Sequence, residues 1–194
     1  MRAIQDIEEH IIEIPQSIQD LRSVVSNRCN RLIQRVKTMA ENPTSELDPS
    51  LSPSQRDSYC ADFFLLNKVH HHTALLEMYQ RVLDKPQTDC DVQVEVESGL
   101  RCLKHLALTK GSTPGVAALH SIFIIGCSAT TAENRSFVMD WLENMRLLYC
   151  MGNVPTAKLF LFELWQRNDA LKAVGSHIQW DKFMLEKNMD LSLY

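Results

Sequence analysis

The fourteen residues from Val116 to Ala129, VAALHSIFIIGCSA, constrain this chain more than any other stretch. A helix so oily is not a surface helix, and it falls short of the ~20 apolar residues a membrane span needs, with His120 and Ser121 inside it. It must therefore be buried by other helices. Val116, Leu119, Phe123, Ile124 and Cys127 are expected on one broad face. Gly126 is expected to let a neighbouring backbone approach, at a cost of about 1 kcal/mol in helix propensity. The polar continuation Thr130-x-x-Glu133 reads as a capping box that opens the next helix.

The surrounding helices are legible from apolar spacing. After Pro15 and Ser17, the positions Ile18, Leu21, Val25, Cys29, Leu32, Val36 and Met39 recur every three or four residues. The other faces carry Arg22, Arg28, Arg31, Arg35 and Lys37, which read as a solvated face or as a partner or phosphate contact. Residues 42–54, NPTSELDPSLSPS, hold three prolines without periodicity and read as a loop.

Ser52 and Pro53 then open a helix expected to run to about Lys85, where Pro86 stops it. Its stripe is read as Cys60, Phe63, Phe64, Ala74, Leu75, Met78 and Val82, with Leu66, Val69, Leu76 and Leu83 at the sides. Val92, Val96, Leu100, Leu103 and Leu106 predict a helix from Thr88 to about Lys110. GSTPG at 111–115 lacks the G-x-x-x-x-G-K spacing of a phosphate loop and reads as a turn with Thr113 as cap and Pro114 in the first turn. Val138, Trp141, Leu142, Met145, Leu148 and Tyr149 predict the next helix, ended by Gly152. Asn153 is expected to cap one carrying Ala157, Leu161, Leu164 and Trp165. A short helix around Trp180–Glu186 completes an all-α, irregular array of about seven or eight helices with no sheet. The expected organisation is an N-terminal amphipathic helical segment (1–41), a Pro-rich loop (42–54) and a helical core (55–194). Together they form one domain, the C-terminal part of a larger one.

With 194 residues and 45% hydrophobic content, the chain can form a core without disulfides or a structural metal. The net charge of -4, from 24 acidic and 20 basic residues, offers no general nucleic-acid surface. Asp6, Glu8 and Glu9 interrupt any signal-peptide core, so a soluble intracellular chain without a membrane span is expected. The cysteines at 29, 60, 90, 102, 127 and 150 form no close pairs and read as free thiols.

No enzyme, metal or cofactor chemistry emerges. Adjacent helical residues point ~100° apart, so His70, His71 and His72 do not converge on one ion. Asn67 and His71, four apart, are read onto the apolar stripe, where they either satisfy each other and the backbone or line a cavity. Cys127 lies near a helix C-terminus, where the dipole opposes a thiolate nucleophile. Glu133, Asp140 and Glu143 form no acid/base pair, and Trp141 and Trp165 read as core.

From the oily segment onward, three stretches in order resemble the fungal-specific transcription factor domain. They are ALHSIFIIGCSATTAENRSFVMDWLENM, MGNVPTAKLFLFELWQRND and WDKFMLEKNMDLSL. This domain is the helical regulatory region of zinc-cluster transcription factors, and the likeness is to the group with amino-acid-metabolism and sterol-uptake regulators. The family's oily-Gly-Cys-x-Ala segment corresponds to Ile124–Ala129. Its arginine, Gly-Asn, Val/Leu-Trp and Trp-x-x-x-Met correspond to Arg135, Gly152-Asn153, Leu164-Trp165 and Trp180 to Met184. HHHTALLEMYQRVLDKP is similar to its central helix. The resemblance is strongest over 117–194 and slight before 57. The Trp-Pro often found before the oily segment is replaced by Leu119-His120.

The family's DNA-binding cluster holds two zinc ions in two C-x2-C-x6-C groups, and the cysteine intervals here, 31, 30, 12, 25 and 23, supply no such ligands. The resemblance thus implies a nuclear, non-enzymatic regulatory domain whose zinc cluster is lost or upstream, with no direct DNA contact. It implies work through protein partners or self-association, and a small apolar effector. A sterol or lipid receptor is the alternative, with Asn67, His71, Phe123, Cys127, Trp141 and Trp165 as the candidate pocket. A Cys127-dependent enzyme is the remote one. An uncovered apolar surface is expected along the first helices.

Overall fold

The computed structural model describes residues 20–38, 53–108, 113–173 and 175–189. In chain order the helices are α1 (20–38), α2 (Pro53–Glu77), α3 (Cys90–His105), α4 (Thr113–Ala117), α5 (Leu119–Ser128), α6 (Ala132–Tyr149), α7 (Val154–Lys172) and α8 (Trp180–Glu186). A π-helical turn, Met78–Val82, extends α2. Among the described residues there is no strand, so the fold is all-α. No helix of the described residues is long and apolar enough to cross a membrane.

The oily segment is the centre of the fold, as its composition demands. Leu119 and every residue from Ser121 to Ser128 are buried, and α2, α3, α6 and α7 pack around them. Phe123 meets Phe160 of α7 at 5.4 Å and Trp180 of α8 at 6.3 Å, and Phe160 meets Phe183 at 5.3 Å, so one aromatic cluster joins three helices. Offset and edge-on rings at these separations add about 0.5–1.5 kcal/mol per pair beyond area burial.

The structure corrects several local expectations. The helix containing Val116 breaks at Ala118, which turns Val116 out to solvent. Gly126 faces side chains and not backbone: a Cβ there would lie 2.9 Å from Val138 Cγ1 and 3.0 Å from Leu161 Cδ1. The cap of α6 is Thr131, whose hydroxyl accepts from Asn134 N at 3.2 Å, while Thr130 donates to Gln93 Oε1 at 2.9 Å. Cys150, not Gly152, ends α6, in the left-handed conformation (φ 53°). Asn153 sits at the N-cap position of α7 without a side-chain cap bond, and Pro155 in the first turn supplies the helical φ. Helix α3 starts after Asp89, whose carboxylate accepts from Asp91 N, and it ends at His105.

The buried face of α2 matches the expected stripe only in part. Leu75 is buried as expected, and Leu66, Val69, Thr73, Leu76 and Gln80 are buried too, whereas Phe64 and Val82 are exposed. Its α-helical part ends at Glu77, and the wider π-turn lets the adjacent residues Tyr79 and Gln80 both face inward. Leu83 N donates to Met78 O, Lys85 N donates to Tyr79 O, and the left-handed Asp84 (φ 54°) ends the turn before Pro86. Helix α1 meets this turn where Cys29 Sγ donates to Met78 O, and Ile33 and Val36 pack with Cys29 into the core. Leu21, Val25 and Leu32 of its expected apolar stripe are exposed. The segments 1–19 and 39–52, including Met39 and most of the Pro-rich loop, lie outside the described residues.

Candidate functional site: the C-terminus of α5 and its cleft

A helix leaves its last carbonyls without intrahelical donors, and burying them unpaired costs about 1–3 kcal/mol each. Helix α5 ends inside the protein, so donors must be brought to it from elsewhere. Trp165 Nε1 on α7 donates to Gly126 O at 2.9 Å, and Gln87 Nε2 from the loop before α3 donates to Cys127 O at 2.6 Å. Gln93 Nε2 on α3 donates to Ser128 O at 3.0 Å, and Arg135 Nε on α6 donates to Ala129 O at 3.1 Å. Four consecutive carbonyls are thus held by four different parts of the chain. Ser128 Oγ donates to Gln80 Oε1 at 3.0 Å, and Gln179 Nε2 donates to Gln80 O at 2.7 Å, so the π-turn and the α8 cap join the same network.

Arg135 is the most connected member. Its two terminal nitrogens donate to both oxygens of Asp169 at 2.6 and 2.8 Å, and its guanidinium lies 5.3 Å from the Trp165 ring centre. The Arg135 hydrogen bonds hold the Asp169 carboxyl below its ordinary range. Beside this pair opens a cleft of about 460 Å³ between the loop before α3, the start of α6, and the end of α7 with the following loop. Thr88, Thr130, Asn168, Lys172 and His177 line it together with Arg135 and Asp169. Both charge signs and several hydroxyl and amide groups face a volume typical of small-molecule sites.

The six candidate pocket residues do not converge on this cleft. Asn67 is exposed on α2, and His71 is half-buried with its Nδ1 buried and unpartnered among the described residues. Burial, then the neighbouring His72, pushes the His71 pKa down. Phe123 and Trp141 are packed into the core, and Cys127 and Trp165 lie at the end of α5. Burial pushes the Cys127 thiol well above its ordinary pKa, the opposite of an activated nucleophile.

The histidine run diverges, as helix geometry requires. His70 Nδ1 pairs with Ser121 Oγ at 2.9 Å on α5, and His72 Nδ1 pairs with Glu95 Oε2 at 2.6 Å on α3. Burial opposes the His72 charge, but hydrogen bonds to Cys102 and Glu95 outweigh it and raise the pKa to about 9. Among the described residues no three His, Cys, Asp or Glu side chains are grouped to hold a metal ion.

Sequence reasoning missed Gln80, Gln87, Gln93 and Gln179. The one signal was positional: glutamines within or beside apolar stripes, where a solvated role is not available.

The residues gathered at the end of α5 include Gly126, Cys127, Arg135 and Trp165, the same ones that carried the likeness noted above. Residues 2–194 match the fungal specific transcription factor domain. The chain belongs to this family. Its membership carries a transcription-regulatory role. No curated protein and no solved structure matches it. In this member of the fungal-specific transcription factor domain family, Gly126 and Cys127 belong to the carbonyl end of the buried helix, and Arg135 and Trp165 are two of its four donors.

Proposed function

We propose that this chain is a non-enzymatic regulatory domain that acts in the nucleus through protein contacts, without reading DNA itself, and that it answers to a small polar effector. The observation that carries the reading is the family match over residues 2–194. The deep burial and raised pKa of Cys127 and the pairing of the titratable groups around α5 support a packing role for these side chains. Tethering the chain to a promoter through an unrelated DNA-binding module should change reporter output, while the chain alone leaves a DNA duplex unshifted on a gel. An inert tether, or retardation of the duplex, would remove this reading.

The effector reading rests on the cleft at Arg135 and Asp169. A sterol-like ligand needs an apolar enclosure, whereas Phe123, Cys127, Trp141 and Trp165 fill the core with protein, and the cleft presents both charge signs. A small carboxylate or zwitterion fits better, with Lys172 and His177 facing an anionic end. Thermal-shift measurements with free amino acids and small carboxylates should find one that raises the midpoint of the wild type and not of Lys172→Ala. No shift with any of them ends the effector proposal and leaves the protein-contact proposal standing.

A further inference from the structure

Helix α1 is anchored along one side and bare along the next. Cys29, Ile33 and Val36 pack into the core, but Leu21, Val24, Val25 and Leu32 remain 64%, 48%, 50% and 50% exposed. Single exposed apolar residues are ordinary, whereas several on one helix face mark a contact surface. At ~100° per residue, Leu21, Val25 and Leu32 fall within about 40° of one another beside the buried side, and Val24, Arg28 and Arg35 continue the same face. Leu21, Val25, Arg28, Leu32 and Arg35 recur four and three residues apart, the spacing of a helix–helix seam. From Leu21 to Thr38 the charges are Arg22, Arg28, Arg31, Arg35 and Lys37, with no aspartate or glutamate. Arg28, Arg31 and Arg35 are exposed and have no ion-pair partner among the described residues. The row is therefore both apolar and basic.

We propose, building on the protein-contact function above, that this row docks an acidic amphipathic helix of a partner protein. That helix carries aliphatic residues at three-and-four spacing, which cover Leu21, Val25 and Leu32, and carboxylates beside them, which pair with Arg28, Arg31 and Arg35. Charge complementarity selects the sign, because guanidinium groups without acids on their own helix are matched by flanking glutamates or aspartates. The row from Leu21 to Arg35 spans about 21 Å, enough for four turns of a partner helix. Helix α1 is already fixed through Cys29, Ile33 and Val36, so only the partner pays the ordering entropy of docking. A second copy of α1 would set arginine against arginine and repel. A lipid surface is entered by aromatic side chains as well as aliphatic ones, and residues 20–38 contain no Trp, Tyr or Phe.

Two designed helical peptides of about three heptads serve as probes for the full chain, both with leucine at the seam positions. One carries glutamate and the other lysine at the flanking positions. In fluorescence anisotropy at low salt the glutamate peptide should bind and the lysine peptide should not. Arg28→Glu/Arg35→Glu should weaken the glutamate peptide roughly 10-fold or more and let the lysine peptide bind, and Leu21→Ser/Leu32→Ser should weaken the glutamate peptide with its charge preference kept. These four side chains are exposed, and far-UV helicity confirms that each variant is folded. Binding of neither peptide, equal binding of both, or binding that ignores the arginine reversal overturns the proposal. Tighter binding of the wild type to anionic lipid vesicles than to the glutamate peptide also overturns it, in favour of a membrane. An active promoter tether without peptide binding overturns this docking surface alone, whereas an inert tether with the expected binding pattern removes the regulatory reading and leaves the surface.

Discussion

The Arg135 guanidinium lies 5.3 Å from the ring centre of Trp165, and both side chains donate to the carbonyl end of α5, Arg135 to Ala129 O and Trp165 to Gly126 O. Each holds the other in position. The indole packs beside the guanidinium, and the guanidinium in turn reaches Asp169 on the same helix as the indole. Helices α5, α6 and α7 are locked through one pair.

Arg135→Lys removes the planar fork, the stacking surface and the bond to Ala129 O together. It should lower unfolding free energy by about 1–3 kcal/mol in urea titrations. Asp169→Asn should cost less than about 1 kcal/mol, because Asp169 is more than half exposed and water screens its pairing. Equal losses for the two variants would mean that the salt bridge, and not the carbonyl cap, is the larger contribution.

Gly126→Ala tests packing against helix propensity. Alanine is the better helix former by about 1 kcal/mol, but the added methyl would meet Val138 at 2.9 Å and Leu161 at 3.0 Å. Over-packing of this kind costs about 1–3 kcal/mol, so a net loss of stability is expected. A variant that melts higher than wild type would show that the contact between α5, α6 and α7 gives way easily.

Stability should fall on the alkaline side of neutrality. The folded-state pKa of His72, about 9, lies above its unfolded value of about 6.5, so the folded state binds the proton more tightly. The contribution is fully present below about pH 6.5 and is lost as pH rises through about 9, on the order of 1–3 kcal/mol. Melting temperatures across that window should decline for the wild type and much less for His72→Gln. Parallel declines would assign the effect to other groups.

Thiol labelling in the native state should separate the cysteines by burial. Cys90 and Cys150 are exposed and should react quickly at neutral pH, while Cys127 should react only as the protein unfolds. Mass mapping of modified peptides over time gives the order directly. Early modification of Cys127 would revive the nucleophile reading.

Some of this protein is legible in residue order because helical packing is periodic and therefore local. The oily run to Ala129 announced its burial, the spacing of Val92, Val96, Leu100 and Leu103 announced α3 despite its β-branched residues, and Ala157, Leu161, Leu164 and Trp165 announced the buried face of α7. The face of α2 was misread because Phe64 and Leu66, or Val82 and Leu83, are equally apolar, and hydrophobicity does not say which of two neighbouring stripes meets α3 and α5. The cap was displaced by one residue because Thr130 and Thr131 are chemically identical, and Gln93, brought in from α3, takes the first of them.

The residue order by itself determined that the chain is helical, which segments are the helices, and which family it belongs to, since each of these depends on side chains within a few turns of one another. Only the tertiary structure decided which donors close the end of α5, that Asp169 and Arg135 share a cleft, and that α1 leaves a basic apolar row bare. Those pairings join residues up to 40 positions apart. A hydrogen bond of that kind has no periodic trace in a sequence, because its partner is chosen by how the helices pack.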